Sequence, residues 1–533
     1  MSVCEEHGGD EAKREAAKCF VDWIQSSESG IQCKSVELRY CGGSAGFGVF
    51  AKQTIRWNDC LIKIPQRLII YADLIRSIPE YAALFRNEKL PSFDSFEVLV
   101  LFFCMERFHS KDISTRNSTR NKTTALKEFY QRRVNLNKRK AEPDIWLAKN
   151  LERPWFRAYM RMLPRRFGTA LEACHDAHSG AYNASEKQRI AGALPMHARE
   201  IFQKQLDEFE RVSKKLNVLF GSEADESLFL WGWHIVNTRC IWADPTEFSD
   251  SSSFAHEPSS YFGNKDEKRK ASDKKSDSDN TSDSPDSNGD CIAVIPFVDM
   301  LNHSPMAQCV ASYDRHSKFY RVCATHRTIV EGSEVFVCYG PHDNARLWLE
   351  YGFRLGPENI FNRVNISTNL FIQLARESGL AVGNLDAHHE QVIREADLPC
   401  TIYGSDEEPS YGIRKNCRIA FLKRSQLTNW RRIIFRERSS TPYNENENED
   451  KMKAGNGEKN EDENGRKSHA PPTPVNDANV DTLAQRMVHR VLLDLRAHTA
   501  RKSEKISDAG LRVFWTDQIY VLDNLLAKHI SNE

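Results

Sequence analysis

The sequence predicts an α+β chain in which short, glycine-broken strands and amphipathic helices occupy separate stretches. Strand-like runs cluster in two places: VELRY, CGGSAGFGVFA and DCLIKIP from Val36 onward, then CIAVIP, CVASYD, FYRVCA and SEVFVCY after Asp290. Between the clusters, Ala198, Ile201, Gln205, Phe209, Val212, Leu216 and Leu219 recur at steps of three and four, the pattern of a long helix packed on one side. After Gly356 the chain is largely helical, with amphipathic segments at Leu483–Leu495 and Leu511–His529.

Taken in order, Glu11–Gln25 places Ala16, Phe20, Val21 and Ile24 on one helical face. The first strand cluster follows, and helical texture returns at Phe96–His109. Three stretches are too polar to offset their ordering entropy and are expected to stay unfolded. Ser110–Lys140 carries ten Lys/Arg against two acids, Glu247–Asp290 is rich in Ser, Asp and Lys, and Thr441–Asp477 is rich in Asn, Glu and Lys. Leu228–Trp242 is aromatic-rich, and no internal repeat of fixed period is found.

The 533 residues suffice for two or three domains. Lys plus Arg equals Asp plus Glu at 74 each, so total charge singles out neither nucleic acid nor membrane as a partner. Met1–Phe20 lacks the apolar core of a secretory signal, and the longest apolar run, Val98–Met105, is far short of the roughly 20 residues a spanning helix needs. A soluble intracellular protein is expected, without membrane or direct nucleic-acid contact. The 14 cysteines include no C-x-x-C pair, which argues against both a disulfide framework and a structural zinc site. Cys174-His-Asp-Ala-His178 lacks a remaining ligand, so no metal is expected. The basic clusters at 137–140 and 268–275 read equally as nuclear-import signals or solvated charge, which leaves a cytoplasmic and/or nuclear location.

Four separated segments could carry chemistry. Gly46-Phe-Gly48 lies between strands, and alone it needs no more than a turn requiring positive φ. Trp231-Gly-Trp-His-Ile-Val-Asn-Thr-Arg239 is a helical run ending in a cation. Val294–Pro305 delivers Asp299, Asn302 and His303 to one turn from a continuous apolar strand. Glu334–Asn344 is an acidic-led strand that reaches Tyr339 and is followed by the helical ARLWLEYGF.

Together these segments resemble the SET-domain methyltransferases, whose signatures are an N-H-S-P turn and an acidic-led strand ending in tyrosine. W-x-W-x-x-V-N-T-R, D-x-L-N-H-S-P and C-Y-G-P-H-D-N-x-R-L-x-L-E-Y-G-F are similar to the subgroup that includes the Rubisco large-subunit lysine methyltransferase. The resemblance is specific from about Val36 to Phe353 and thins over the C-terminal third. It implies a β-clip core of small twisted sheets with a threaded crossing, assembled from residues 36–95 and 226–355. Residues 1–35 would form an N-terminal helix, 96–225 a helical insert, and 360–533 a mostly helical substrate-binding domain.

The activity implied is transfer of a methyl group from S-adenosyl-L-methionine to a lysine of a histone tail or a non-histone protein, by a monomer. A histidine acceptor and a non-catalytic scaffold that binds partners through its C-terminal helices are the alternatives. The family pattern makes Tyr339 the catalytic tyrosine. It assigns the cofactor to Gly46, Phe47, Gly48, Arg239, Asn302, His303 and Tyr339 itself, with Arg239 facing the methionine carboxylate. Asp299 either touches the cofactor or caps the turn, while Tyr351 and Phe353 wall the lysine channel. Replacing Arg239 is expected to weaken cofactor binding and leave the fold intact.

Overall fold

The structure is a computed structural model that describes residues 3–42, 46–112, 123–138, 146–175, 182–221, 226–242, 292–325, 327–380, 385–435 and 477–531. Two compact units divide the chain, Met1–Phe361 and Asn362–Glu533.

The first unit begins with helix α1 (Val3–Gln25), which starts earlier than the apolar period alone predicts. Strands β1 (Val36–Gly42) and β2 (Gly46–Ala51) then form an antiparallel hairpin with Tyr40 opposite Phe47. Phe47, Val49 and Ala51 are the alternate residues of β2, so they share its buried face. Strands β3 (Cys60–Pro65) and β4 (Ile70–Tyr71) lead into a helical region. Among its helices are α2 (Pro79–Phe85), α3 (Ser95–Asp112), α4 (Thr124–Lys138), α5 (Pro154–Met162), α6 (Ala170–Ala173) and α7 (Met196–Phe220). Helix α1 stacks Trp23 on Trp155 of α5, ring centroids 4.0 Å apart, and sets Phe20 against Tyr159 at 5.7 Å.

Ser110–Lys140 departs from expectation, because α3 runs to Asp112 and α4 occupies Thr124–Lys138. Its charge count conceals one buried face. Leu126 and Phe129 are fully or nearly fully buried, and Arg133 is 4% exposed in a bidentate pair with Glu106 at 2.8 and 2.9 Å. Tyr81 of α2 donates to the same carboxylate at 2.7 Å, so the buried Glu106 carboxylate is held by both the Arg133 fork and a hydroxyl. Residues 243–291 and 436–476, which contain the other two stretches expected to be unfolded apart from Asp477, lie outside the described residues.

Helix α8 (Glu226–Arg239) returns the chain to the sheets. Strands β5 (Ile241–Trp242) and β6 (Ile292–Val294) pair antiparallel, and β4 adds to the other side of β6. A single 3-10 turn, Val298–Met300, hands over to β7 (Asn302–His303). Strands β8 (Cys309–Asp314), β9 (Phe319–Ala324) and β10 (Phe336–Val337) complete a sheet ordered β3-β9-β8-β10-β7. Here β10 is parallel to both neighbours, inserted between β7 and β8 that precede it in sequence. Helix α9 (Asn344–Tyr351) follows and ends on Gly352, whose φ of 81° is left-handed.

The second unit carries α10 (Thr368–Glu377), α11 (Ala387–Ala396), α12 (Tyr411–Ala420), α13 (Asp477–Glu504) and α14 (Ala509–Ser531). Their apolar faces share one core that includes Phe371, Ile413, Leu492 and Leu522. A two-stranded antiparallel sheet, β11 (Arg363–Ile366) with β12 (Cys400–Tyr403), joins that core, its strands separated in sequence by α10 and α11.

Candidate active site

Three chain segments meet at Asn302. Its amide nitrogen donates to the Phe47 carbonyl at 3.2 Å and to Oε1 of Glu334 at 2.6 Å. Both partners are acceptors, so the orientation of the amide follows from its network. The Glu334 carboxylate fits because Gly48 has no side chain: a Cβ there would lie 2.5 Å from Oε1. Gly46 takes a φ of 62°, which L side chains rarely adopt.

His303, the next residue, is buried beneath the inserted strand. Its Nδ1 accepts the Tyr339 backbone N–H at 3.0 Å, which puts the proton of the neutral ring on Nε2. Burial pushes the imidazole down to about 4, so the ring is neutral at physiological pH. Nε2 is itself buried and without a hydrogen-bond partner among the described residues.

Tyr339 lies two residues past the end of β10 and is set in an aromatic surround. Its ring centroid lies 5.2 Å from His303 and 5.0 Å from Tyr351, while Phe353 is 6.2 Å from both His303 and Tyr351. The hydroxyl donates to the Leu301 carbonyl at 2.7 Å. The ring is hemmed in on most sides yet keeps part of its surface open, and burial holds the phenol well above its usual value. It is therefore a neutral hydrogen-bonding group rather than a proton acceptor at pH 7.

Arg239, the last residue of α8, points back to the turn before Asn302. Nη1 donates to the Asp299 carbonyl at 2.9 Å and to its Oδ2 at 3.0 Å, with the Met300 sulfur at 3.6 Å. The Asp299 carboxylate is 1% exposed and also accepts from the Tyr159 hydroxyl at 2.8 Å. Burial raises this carboxyl above its ordinary value, against Arg239 and Tyr159, which pull the other way. Asp299 thus orients Arg239 through Oδ2, while its Oδ1 is buried without a hydrogen-bond partner among the described residues. The expectation that Arg239 could be replaced without cost to the fold does not hold, because its loss would strand a buried carboxylate.

Tyr351 and Phe353 flank Gly352, which packs against a loop of the helical insert. A Cβ on Gly352 would meet the Phe167 carbonyl oxygen at 1.6 Å. That loop is tied by Glu172, which accepts from the backbone N–H groups of Phe167 at 2.8 Å and Gly168 at 2.6 Å. Tyr159, Glu334 and this loop are the site-forming groups that motif reading missed. Only Glu334 left a signal, as the leading acid of its strand.

Among the described residues, no group of three His, Cys, Asp or Glu side chains is placed to hold a metal ion. Cys174 and His175 are described, whereas His178 is not. No described helix is long and apolar enough to cross a membrane.

A late strand driven between two earlier ones, locked by a histidine to the backbone N–H of the tyrosine that follows it, defines a SET-type core. The SET domain family model matches residues 46–340, over half of the chain, and the chain belongs to that family. SET domain-containing protein 4 of Homo sapiens is 25% identical over 293 residues, which is 54% of this chain and 55% of the human protein. The ribosomal lysine N-methyltransferase set11 of Schizosaccharomyces pombe is 26% identical over 213 residues, 39% of each chain. The match thus spans little more than half the length of the human relative. A solved structure of Rubisco LSMT bound to sinefungin and monomethyllysine aligns with 97% of this chain and 92% of its own, at 12% identity and a TM-score of 0.48.

Proposed function

We propose that this chain is a protein-lysine N-methyltransferase that uses S-adenosyl-L-methionine and reacts at Tyr339. The observation that carries the reading is the neutral Tyr339 hydroxyl, anchored on the Leu301 carbonyl and walled by the rings of His303 and Tyr351. The cofactor fits the polar groups that the protein leaves over. Among the described residues, Arg239 Nε and His303 Nε2 are buried without protein partners, and nothing lies within 4 Å of where a Cβ on Gly46 would be. When bound, the cofactor supplies a methyl group on a sulfonium.

The chain's own part is to orient and to exclude water. Tyr351 and Phe353 present apolar faces to the incoming side chain, and an ammonium with a pKa near ~10.4 in water loses its proton more readily there. Neither Tyr339 nor His303 is a base at neutral pH, so the amine must arrive deprotonated. Tyr339 and the Leu301 carbonyl then hold the nitrogen in line, which is where the acceleration arises. Asn302 fixes the Phe47 and Glu334 segments, and Arg239, steadied by Asp299, would hold the carboxylate of the methionine end.

Full-length protein incubated with methyl-labelled cofactor and cell lysate should place label on a lysine side chain, read by mass spectrometry. Label on histidine would move the acceptor, and no transferred label would sink the reading.

A further inference from the structure

The cationic end of the site has a contributor outside residues 46–340, the span matched by the family model. On α1, Lys13 stands two helical turns before Phe20 and therefore shares its face. Phe20 packs on Tyr159, whose hydroxyl reaches Asp299, which in turn holds Arg239. The same face of α1 thus carries Lys13 toward the Arg239 end of the site.

Two further contacts fix its place. The Lys13 ammonium lies 5.7 Å from the centre of the Tyr40 ring, and that ring meets Phe47 at 5.0 Å. Lys13 also interacts electrostatically with Asp10, Arg165 and Arg239, while burial lowers its proton affinity. Two acids stand among these cations: Asp10 accepts from the Tyr40 hydroxyl, and Asp299 accepts from Arg239 and Tyr159 through Oδ2, its Oδ1 being buried without a partner among the described residues. Among the described residues Lys13 forms no ion pair, and the Arg239 Nε is buried without a partner. Three cations therefore converge with an excess of positive charge, partly removed from water. Such an arrangement costs free energy unless an anion completes it.

We infer that Lys13 is a second cation for the carboxylate of the cofactor's methionine end, which makes α1 part of the cofactor site. The inference rests on the proposed use of S-adenosyl-L-methionine. Lys13 is a binding residue for the amino-acid end and takes no part in the methyl transfer.

The test uses full-length protein and two probes, titrated by calorimetry. S-adenosylhomocysteine carries the carboxylate, and 5′-methylthioadenosine is the same thioether nucleoside without the amino-acid end. Lys13→Met, which keeps an apolar stem, should weaken S-adenosylhomocysteine about tenfold or more and leave methylthioadenosine within about twofold. Lys13→Arg should restore most of the loss, and Lys18→Ala, on an exposed part of the same helix, should change neither ligand. An equal loss for both ligands would make Lys13 structural, and unchanged affinity for both would make it a solvated lysine; each overturns the inference while the cofactor reading stands. Wild-type protein that binds neither probe would overturn both.

Discussion

Arg239→Ala should destabilise the first unit, and by an amount that depends on pH. The guanidinium is 16% exposed and the Asp299 carboxylate 1%, with Nη1 at 3.0 Å from Oδ2. Breaking a buried pair by removing one partner costs about 3–5 kcal/mol. The Tyr159 hydroxyl still donates to Oδ2 in the variant, which argues for the lower end, about 3 kcal/mol. The stranded carboxyl has one escape, which is to take a proton. Burial already raises it with Arg239 present, and it must rise further without that charge. A carboxyl raised in the folded state binds more protons there than in the unfolded chain, so stability falls as pH rises through that window. The deficit of the variant should therefore be larger at pH 8 than at pH 5.5.

Urea unfolding of wild type, Arg239→Ala, Asp299→Asn and the double variant at both pH values measures this. Hydrogen exchange of the Glu226–Arg239 helix assigns the transition to the first unit. The double variant should be more stable at pH 8 than Arg239→Ala alone, because no carboxylate is left stranded. An Arg239→Ala protein as stable as wild type at both pH values would refute the buried pair.

Arg133→Ala should cost about 3–5 kcal/mol by leaving the buried Glu106 without its fork, and should leave any methyl transfer per folded molecule unchanged; chemical denaturation beside an activity assay checks both. Gly352→Ala should lose about 2–4 kcal/mol, since its φ of 81° and the Phe167 carbonyl both exclude a side chain; thermal melting and proteolysis at the insert loop would register it. His303 sits at about 4 when folded against about 6.5 when unfolded, so the unfolded chain binds more protons and stability falls as pH drops across that interval, by roughly 3 kcal/mol in full. A His303→Gln protein should show a shallower acid limb in melting temperature against pH, provided it stays folded.

The parts of this site that could be read beforehand are those built by short-range chemistry. The Asn302–His303 turn and the strand running into Tyr339 are contiguous motifs, and the α7 period declares one buried face. What escaped depends on distant partners. Tyr159 lies 140 positions from Asp299 and sits in an insert with no motif, so no local pattern ties them. Helix α4 was hidden by its cations, because composition counts charge over a segment whereas folding needs only one apolar stripe and a satisfied Arg133. The two-stranded sheet of β11 and β12 spans four residues a side, too few for alternation to register, and its strands lie on either side of two helices.

Tyr339→Phe tests the central claim most directly. The substitution keeps the ring that packs against His303 and Tyr351 and deletes only the hydroxyl on the Leu301 carbonyl. Methyl transfer, cofactor affinity and melting temperature should be measured on the same preparation. Transfer should fall by at least ~100-fold, about 2.7 kcal/mol of barrier, with affinity and melting temperature close to wild type. A stable variant with near wild-type transfer would remove Tyr339 from the reaction.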